Sequence, residues 1–350
     1  LGRRNYETLN AMRGLAAVAV VFFHSDELLS AQIAPGGYLA VDIFFVLSGF
    51  VIAHAYEDRL KGGLSLGRFT LARMIRFYPL LLLAIAMGVL RAAAGLITNS
   101  PTALSPAEIA VSAFTSLFLV PAPVTGSGNL FVLNVPLWTL CFELTINIVY
   151  AAIVRHLSNG RLVGAAIAGA ALMIWFAIQS GHNDNGAVLA TALGGVGRAL
   201  FGFSVGVLLY RRRALLNVGV VIPLVLVAVL LCIPIPAQLR VAFDLGFALL
   251  AGPLLITAGS SCEPSARLTA FATYFGSLSF PIYAIHQPLV GMAGTAAERL
   301  SLPSFAVGGL LILCLLVISP LLDRYYDQPL RKWLQRTTNP GVPAPAESAP

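Results

Sequence analysis

Charge is what this sequence has little of. It holds 22 Lys and Arg and 15 Asp and Glu in 350 residues, which is 11%. A soluble protein carries roughly a quarter. With 58% hydrophobic residues and a mean hydropathy of +0.84, the chain has too little polar surface to face water. An ordinary soluble enzyme is therefore excluded. The long apolar runs point to an all-α polytopic membrane helical bundle, since helices satisfy their own backbone in lipid. The net charge of +7 does not indicate nucleic acid, because the cations fall in short clusters between apolar runs. Cysteine is also sparse. Cys141, Cys232, Cys262 and Cys314 form no CxxC pair, so free thiols are expected, with no disulfide and no metal site. No P-loop or HExxH occurs, and the chain is too apolar for a soluble-type hydrolase or ATPase. No internal repeat and no soluble second domain are visible.

What is present is a series of apolar runs of roughly 20 residues. They predict about ten spans, at 9–29, 37–56, 78–98, 136–154, 162–180, 190–210, 215–234, 239–258, 274–293 and 304–323. The first run is long for a signal peptide and no clean A-x-A site follows it, so it reads as a retained span. The cations arbitrate topology. Arg3 and Arg4 precede the first span, and Arg59, Lys61, Arg68, Arg73 and Arg76 follow the second. Further groups are Arg155 and Arg161, Arg211 to Arg213, Arg267, and finally Arg324, Arg331, Lys332 and Arg336. The alternate connections carry only Arg240 and Arg299. The positive-inside rule then gives ten crossings with both the N- and C-termini cytoplasmic; the expected location is a plasma membrane (bacterial inner membrane). A crossing at 107–120 would invert every later connection. That short run, followed by PAPVTGSGN, is instead expected to be a re-entrant or surface helix on the outer side. Residues 1–336 form the membrane domain, and the Pro/Ala-rich tail 337–350 is expected to be disordered.

Ionisable groups inside such spans are costly, so each raises a functional question. Met12 to His24 reads MRGLAAVAVVFFH. Eleven residues turn a helix about 20° past three full turns, so Arg13 and His24 share one face, about 16 Å apart. One reading is the two ends of a channel: a cationic mouth for an anionic cofactor, and a deeper imidazole that takes a proton from a hydroxyl. The plain readings are a headgroup anchor for Arg13 and a satisfied interior hydrogen bond for His24. GGYLAVDIFFVLSGF places Asp42 in an apolar run, in need of Arg13, His24 or another interior cation, while Gly49 admits close backbone approach. Arg73 and Arg76, three apart in LARMIRFYP, suit phosphates, though spacing alone favours a topology determinant that contacts anionic lipid. PLWTLCFEL brings Trp138, expected at the outer interface, with Glu143 and Asn147 deeper. Arg91 and Arg198 lie within spans, expected to face the interior for packing or ion pairing. FGSLSFPIYAIHQP carries Pro281, and Tyr283 and His286 share a face. His156 and His182 fall in connections.

Taken in order, these pieces resemble the acyltransferase-3 family of integral-membrane acyltransferases. Arg13 to His24 looks like its basic residue, ten residues, then His. Gly37, Asp42, Phe44, Phe45, Ser48 and Gly49 resemble its second-span motif, and Arg73, Arg76 and Pro79 its RxxR…P loop. WTLCFE is similar to W-S-L-x-x-E, with Thr139 in the Ser place. GSLSFPIYAIH resembles the late-span motif, and YYDQP the closing E-x-P, with Asp327 in the Glu place. The resemblance implies transfer of an acyl group, usually acetyl, from cytoplasmic acyl-CoA to a hydroxyl of a carbohydrate or other acceptor. The acceptor class includes a surface or extracellular polysaccharide or its lipid-linked precursor. His24 would be central, with Glu143 or Asp42 orienting it. Arg13, Arg73 and Arg76 would hold the CoA phosphates, and Ser48, Trp138, Thr139, Tyr283 and His286 would support substrate or structure. General-base and acyl-histidine versions both stand. No permanently bound cofactor is implied, acyl-CoA being a co-substrate. The partners are acyl-CoA, the acceptor and the lipid bilayer; self-association stays open. The rival from another class is a secondary transporter or flippase, whose matching broken halves are not seen here.

Overall fold

The protein is described over residues 6–213 and 215–338 by a computed structural model, and its regular structure there is helical. The helices are α1 (Glu7–His24), α2 (Asp26–Leu29), α3 (Ala40–Lys61), α4 (Leu66–Ile97), α5 (Pro106–Leu117), α6 (Leu137–Ile153) and α7 (Asn159–Ser180). They continue with α8 (Ala192–Arg212), α9 (Val221–Cys232), α10 (Ala237–Gly246), α11 (Gly252–Ser261), α12 (Ala266–Arg299), α13 (Ser304–Leu322) and α14 (Gln328–Thr338). Single π-helical turns, Phe247–Ala251 and Asp323–Asp327, join α10 to α11 and α13 to α14. Among the described residues, eight helical segments are long and apolar enough to cross a membrane, so this is a multi-pass membrane protein.

Eight is fewer than the ten expected, and the two shortfalls have local causes. The run at 9–29 becomes α1, 18 residues that include Glu7 and Arg13, and it stops at His24. The run at 215–234 becomes α9, only 12 residues. Gly219 at φ 78° precedes α9 and Pro234 and Pro236 follow it. The last helix continues through Thr337 and Thr338, two residues past the expected start of the tail. Residues 339–350, like Arg3 and Arg4, lie outside the described residues.

Contacts fix the relative directions of the rods. Phe45 meets Trp138, Ser48 meets Glu143 and Glu57 meets Tyr150, so α3 and α6 run the same way. One crossing, α4, separates them in sequence. The helix α5 therefore adds no crossing, which agrees with the charge argument for 107–120. It is 12 residues long and begins with a Ser105–Glu108 capping box and Pro106. In the same way α1 runs with α12, and α3 with α8.

Glycines let these rods touch. A Cβ on Gly49 would lie 2.1 Å from the Phe203 carbonyl oxygen, and one on Gly206 2.0 Å from that of Val46. Backbone, not a flexible side chain, blocks both, so α3 and α8 would have to separate. Gly49→Ala is expected to lower stability by about 1–3 kcal/mol. Gly67→Ala, with nothing within 4 Å, is the control. Thermal unfolding of the two variants in one detergent checks this; equal midpoints would refute the close-packing argument.

Candidate active site

The site lies along the seam between α1 and α12. At one end of the seam, Arg13 Nε donates to Ser279 Oγ at 2.9 Å and Nη2 reaches the Gly276 carbonyl at 3.5 Å. Ser279 sends its own proton to Gly276 O, leaving a lone pair for the guanidinium. Gly14 makes this approach feasible, since a Cβ there would sit 2.1 Å from Phe275 O. At the other end, His24 Nδ1 lies 3.2 Å from His286 Nε2, with ring centroids 5.0 Å apart.

The hydrogen-bond partners assign the tautomers. His286 Nδ1 faces two carbonyls, Tyr283 O at 2.8 Å and Ile282 O at 3.2 Å. Carbonyls only accept, so His286 Nδ1 carries the proton and a neutral ring leaves Nε2 as an acceptor. His24 Nδ1 faces Val20 O at 3.0 Å and that same Nε2. It must also be a donor, which leaves His24 Nε2 with a free lone pair. His286 is fully buried and His24 is half-buried, so the pair has a fixed inner member and an accessible outer one. The inner member is anchored further. Tyr283 OH and Thr139 Oγ1 lie 2.6 Å apart over Pro136 O, and Asn134 donates to Ala284 O at 2.8 Å.

Around Arg13 the cations gather. Arg76, Glu143, Asp323 and Arg331 are close enough for their charges to act on it. Arg73 pairs with Glu143 at 3.3 Å, and Ser48 donates to the same carboxylate at 3.0 Å. Buried Asp327 bridges Arg76 at 3.5 Å and Arg331 at 3.0 Å. Four guanidiniums face three carboxylates here, so the cluster keeps an excess positive charge. The Arg76 atom in that pair, Nη1, is buried and lies beyond hydrogen-bond reach of the carboxylate. Arg331 was not singled out in the sequence. Its signal was the i,i+4 spacing from Asp327, on the helix behind the closing motif.

Two expected partnerships are replaced by others. Neither Glu143 nor Asp42 pairs with His24; the contact goes to His286. Asp42 instead forms a fork with Arg198, at 3.0 Å to Nε and 2.9 Å to Nη2, and receives Asn183 Nδ2 at 3.4 Å. Arg198 also donates to the carbonyls of Tyr38 and Asn185 and stands over the Trp138 ring, 5.6 Å from its centroid. Trp138 is therefore buried inside the bundle against that guanidinium. Arg198 faces the interior as expected; Arg91 is exposed, packed beside Gly291.

Comparisons with known proteins follow this geometry. The family profile described as acyltransferase domain (Acyl_transf_3) matches residues 6–323. The chain is similar to "Protein 2 in picA locus" of Rhizobium radiobacter, 39% identical over 41% of this chain and 79% of that protein. It is similar to the exopolysaccharide production protein ExoZ of Rhizobium meliloti, 32% identical over 41% of this chain and 42% of that one. A shorter stretch, 25% of this chain and 14% of the relative, is 32% identical to the peptidoglycan O-acetyltransferase OatA of Listeria monocytogenes. No solved structure matches the chain significantly.

Proposed function

The chain belongs to the acyltransferase-3 family, and from that premise we propose that it moves an acetyl group from acyl-CoA to a hydroxyl of a glycan. The observation that carries this reading is the seam itself: one pair of helices holds a cation cluster at one end and an imidazole with an open lone pair at the other. Relatives named for exopolysaccharide production and peptidoglycan O-acetylation support a polysaccharide, or its lipid-linked precursor, as acceptor. The clustered cations support a cytoplasmic Arg13 end, both termini inside, ten crossings counting the short α1 and α9, and the bacterial inner membrane.

Acyl-CoA supplies the acyl group as an activated thioester. Arg13, Arg73, Arg76 and Arg331 suit its phosphates by forked, charge-assisted hydrogen bonds. His24 Nε2 takes the acceptor hydroxyl proton as the oxygen attacks the thioester carbon. The C–S bond breaks, and the imidazolium returns that proton to the departing thiolate. His286 is a positioning residue. Its Nε2 holds the His24 Nδ1 proton, and thereby keeps the lone pair on the outer nitrogen. Asp42 and Arg198 hold the helices that carry the site.

The test is transfer of labelled acetyl from acetyl-CoA into the glycan fraction of membranes from expressing cells. Alkali-labile label, absent from control membranes, is expected. No label from acetyl-CoA or succinyl-CoA, with intact protein and native glycan present, would overturn the reading. The role of His286 has its own test. His286→Ala is expected to lower kcat by about 10–100-fold with KM for acetyl-CoA unchanged. His286→Gln, which keeps an acceptor near the Nε2 position, should restore much of the loss. Equal loss in both variants would leave His286 a packing residue only.

A further inference from the structure

Near the His24 end of the seam a cavity of about 380 Å³ opens, which falls within the usual range for small-molecule sites. Phe23 and Tyr38 form its aromatic wall, and Asp26, Gln32, Asp184 and Arg240 bring polar groups to it. The wall is continuous with the candidate catalytic residue. The Phe23 ring lies 5.1 Å from the His24 ring and 5.3 Å from that of Tyr38. Asp184 is close enough for its charge to act on His24 and on the Asp42–Arg198 pair. The cavity is thus one ring away from His24, with Phe23 between them, and none of the arginines around Arg13 lines it.

Its chemistry selects a class of ligand. Gln32 and Asp184 are exposed, and neither side chain has a hydrogen-bond partner among the described residues. Together they offer acceptors and an amide donor over an aromatic wall. Arg240 is braced, donating to Tyr38 OH at 3.5 Å and Ile235 O at 3.2 Å. Tyr38 OH in turn donates to buried Asp244 at 2.6 Å, and the Asn183 N–H reaches the same oxygen at 2.8 Å. The floor is held by these hydrogen bonds, while Asp26 and Asp184 bring carboxylates to the lining. Two carboxylates against one engaged guanidinium repel an anionic ligand. They suit one rich in hydroxyl donors, with apolar ring faces for Phe23 and Tyr38. We propose that this cavity seats a neutral sugar unit of the acceptor glycan and presents its hydroxyl to His24. The proposal rests on the acyltransferase reading for the last step, and on the cavity alone for binding.

The test uses full-length protein in membranes and, as probe, neutral oligosaccharides released by partial hydrolysis of the host's exopolysaccharide. Gln32→Cys is alkylated with a water-soluble maleimide, with the parent protein as background. The oligosaccharides are expected to slow alkylation, and transfer assays on Asp184→Asn and Arg240→Gln should show the half-saturating acceptor concentration raised about tenfold or more. Half-saturation by acetyl-CoA should stay where it is in the wild type. Active transfer with no protection of Gln32→Cys, or with unchanged acceptor half-saturation in both variants, would overturn the cavity assignment. Protection without any transfer by the wild type would keep the cavity as a glycan site and remove the acyltransferase reading instead. Neither protection nor transfer would remove both.

Discussion

His24→Ala is expected to abolish measurable acetyl transfer, a loss of about 10²–10⁴-fold, while the protein reaches the membrane at the wild-type level. The two halves of this expectation have separate grounds. His24 is half-buried at the last turn of α1, and its ring contacts are with Phe23 and His286. Truncation therefore removes no core volume of the kind that unfolds a protein. It does remove the only imidazole lone pair that the His24–His286 pair leaves open. An acceptor hydroxyl would then attack the thioester with no base to take its proton. Label transfer per unit of immunodetected protein is the measurement. Transfer retained within a few-fold would sink His24 as base. The same assay separates the two chemical versions: label left on wild-type protein when acceptor is withheld, discharged by neutral hydroxylamine and absent from His24→Ala, would favour an acyl-histidine over direct general-base transfer.

Much of this was legible in the chain. Helical content and multiple crossings follow from apolar run length, and the non-crossing character of 107–120 follows from the cations. The contacts of α3 with α6 bear that out independently. Close approach at Gly49 was readable because only hydrogen fits between two touching rods. Partner identity was harder. Asp42 and Arg198 are lone, opposite charges in two glycine-containing spans, but nothing local tells which spans adjoin, so the sequence leaves the partner of Asp42 open among Arg13, His24 and another interior cation. The same blindness to long-range contact hid the His24–His286 pair, 262 residues apart, and the fourth guanidinium, Arg331. Spans one and seven came out short because hydropathy runs extend past the point where Pro, Gly and turn residues end a helix. His182 and Asp184 sit in a connection with no periodicity to mark it. Their place at the cavity is a property of the folded chain.

The second large effect concerns the fork between Asp42 and Arg198, and here a single change should be worse than a double one. Both side chains are nearly inaccessible, at 4% and 1% exposed, and Arg198 spends its other donors on Tyr38 O and Asn185 O. Arg198→Leu would strand a carboxylate with one long contact from Asn183, and release two carbonyls that anchor the start of α3 and the connection before α8. Breaking a buried pair from one side costs about 3–5 kcal/mol, because the remaining charge has neither water nor partner. That is a large share of a typical folding stability, so Arg198→Leu is expected to fall sharply in folded, detergent-extractable yield. Asp42→Leu should behave similarly. The pair Asp42→Leu with Arg198→Leu removes both charges from the interior, so its yield should recover toward wild type, giving a strongly non-additive cycle. Recovered protein would also separate roles. If the fork only holds the helices, the double variant regains folding and part of the transfer activity. Additive losses in yield would show that the two charges do not act through each other, and the ion pair would lose its place as the strut beneath the site.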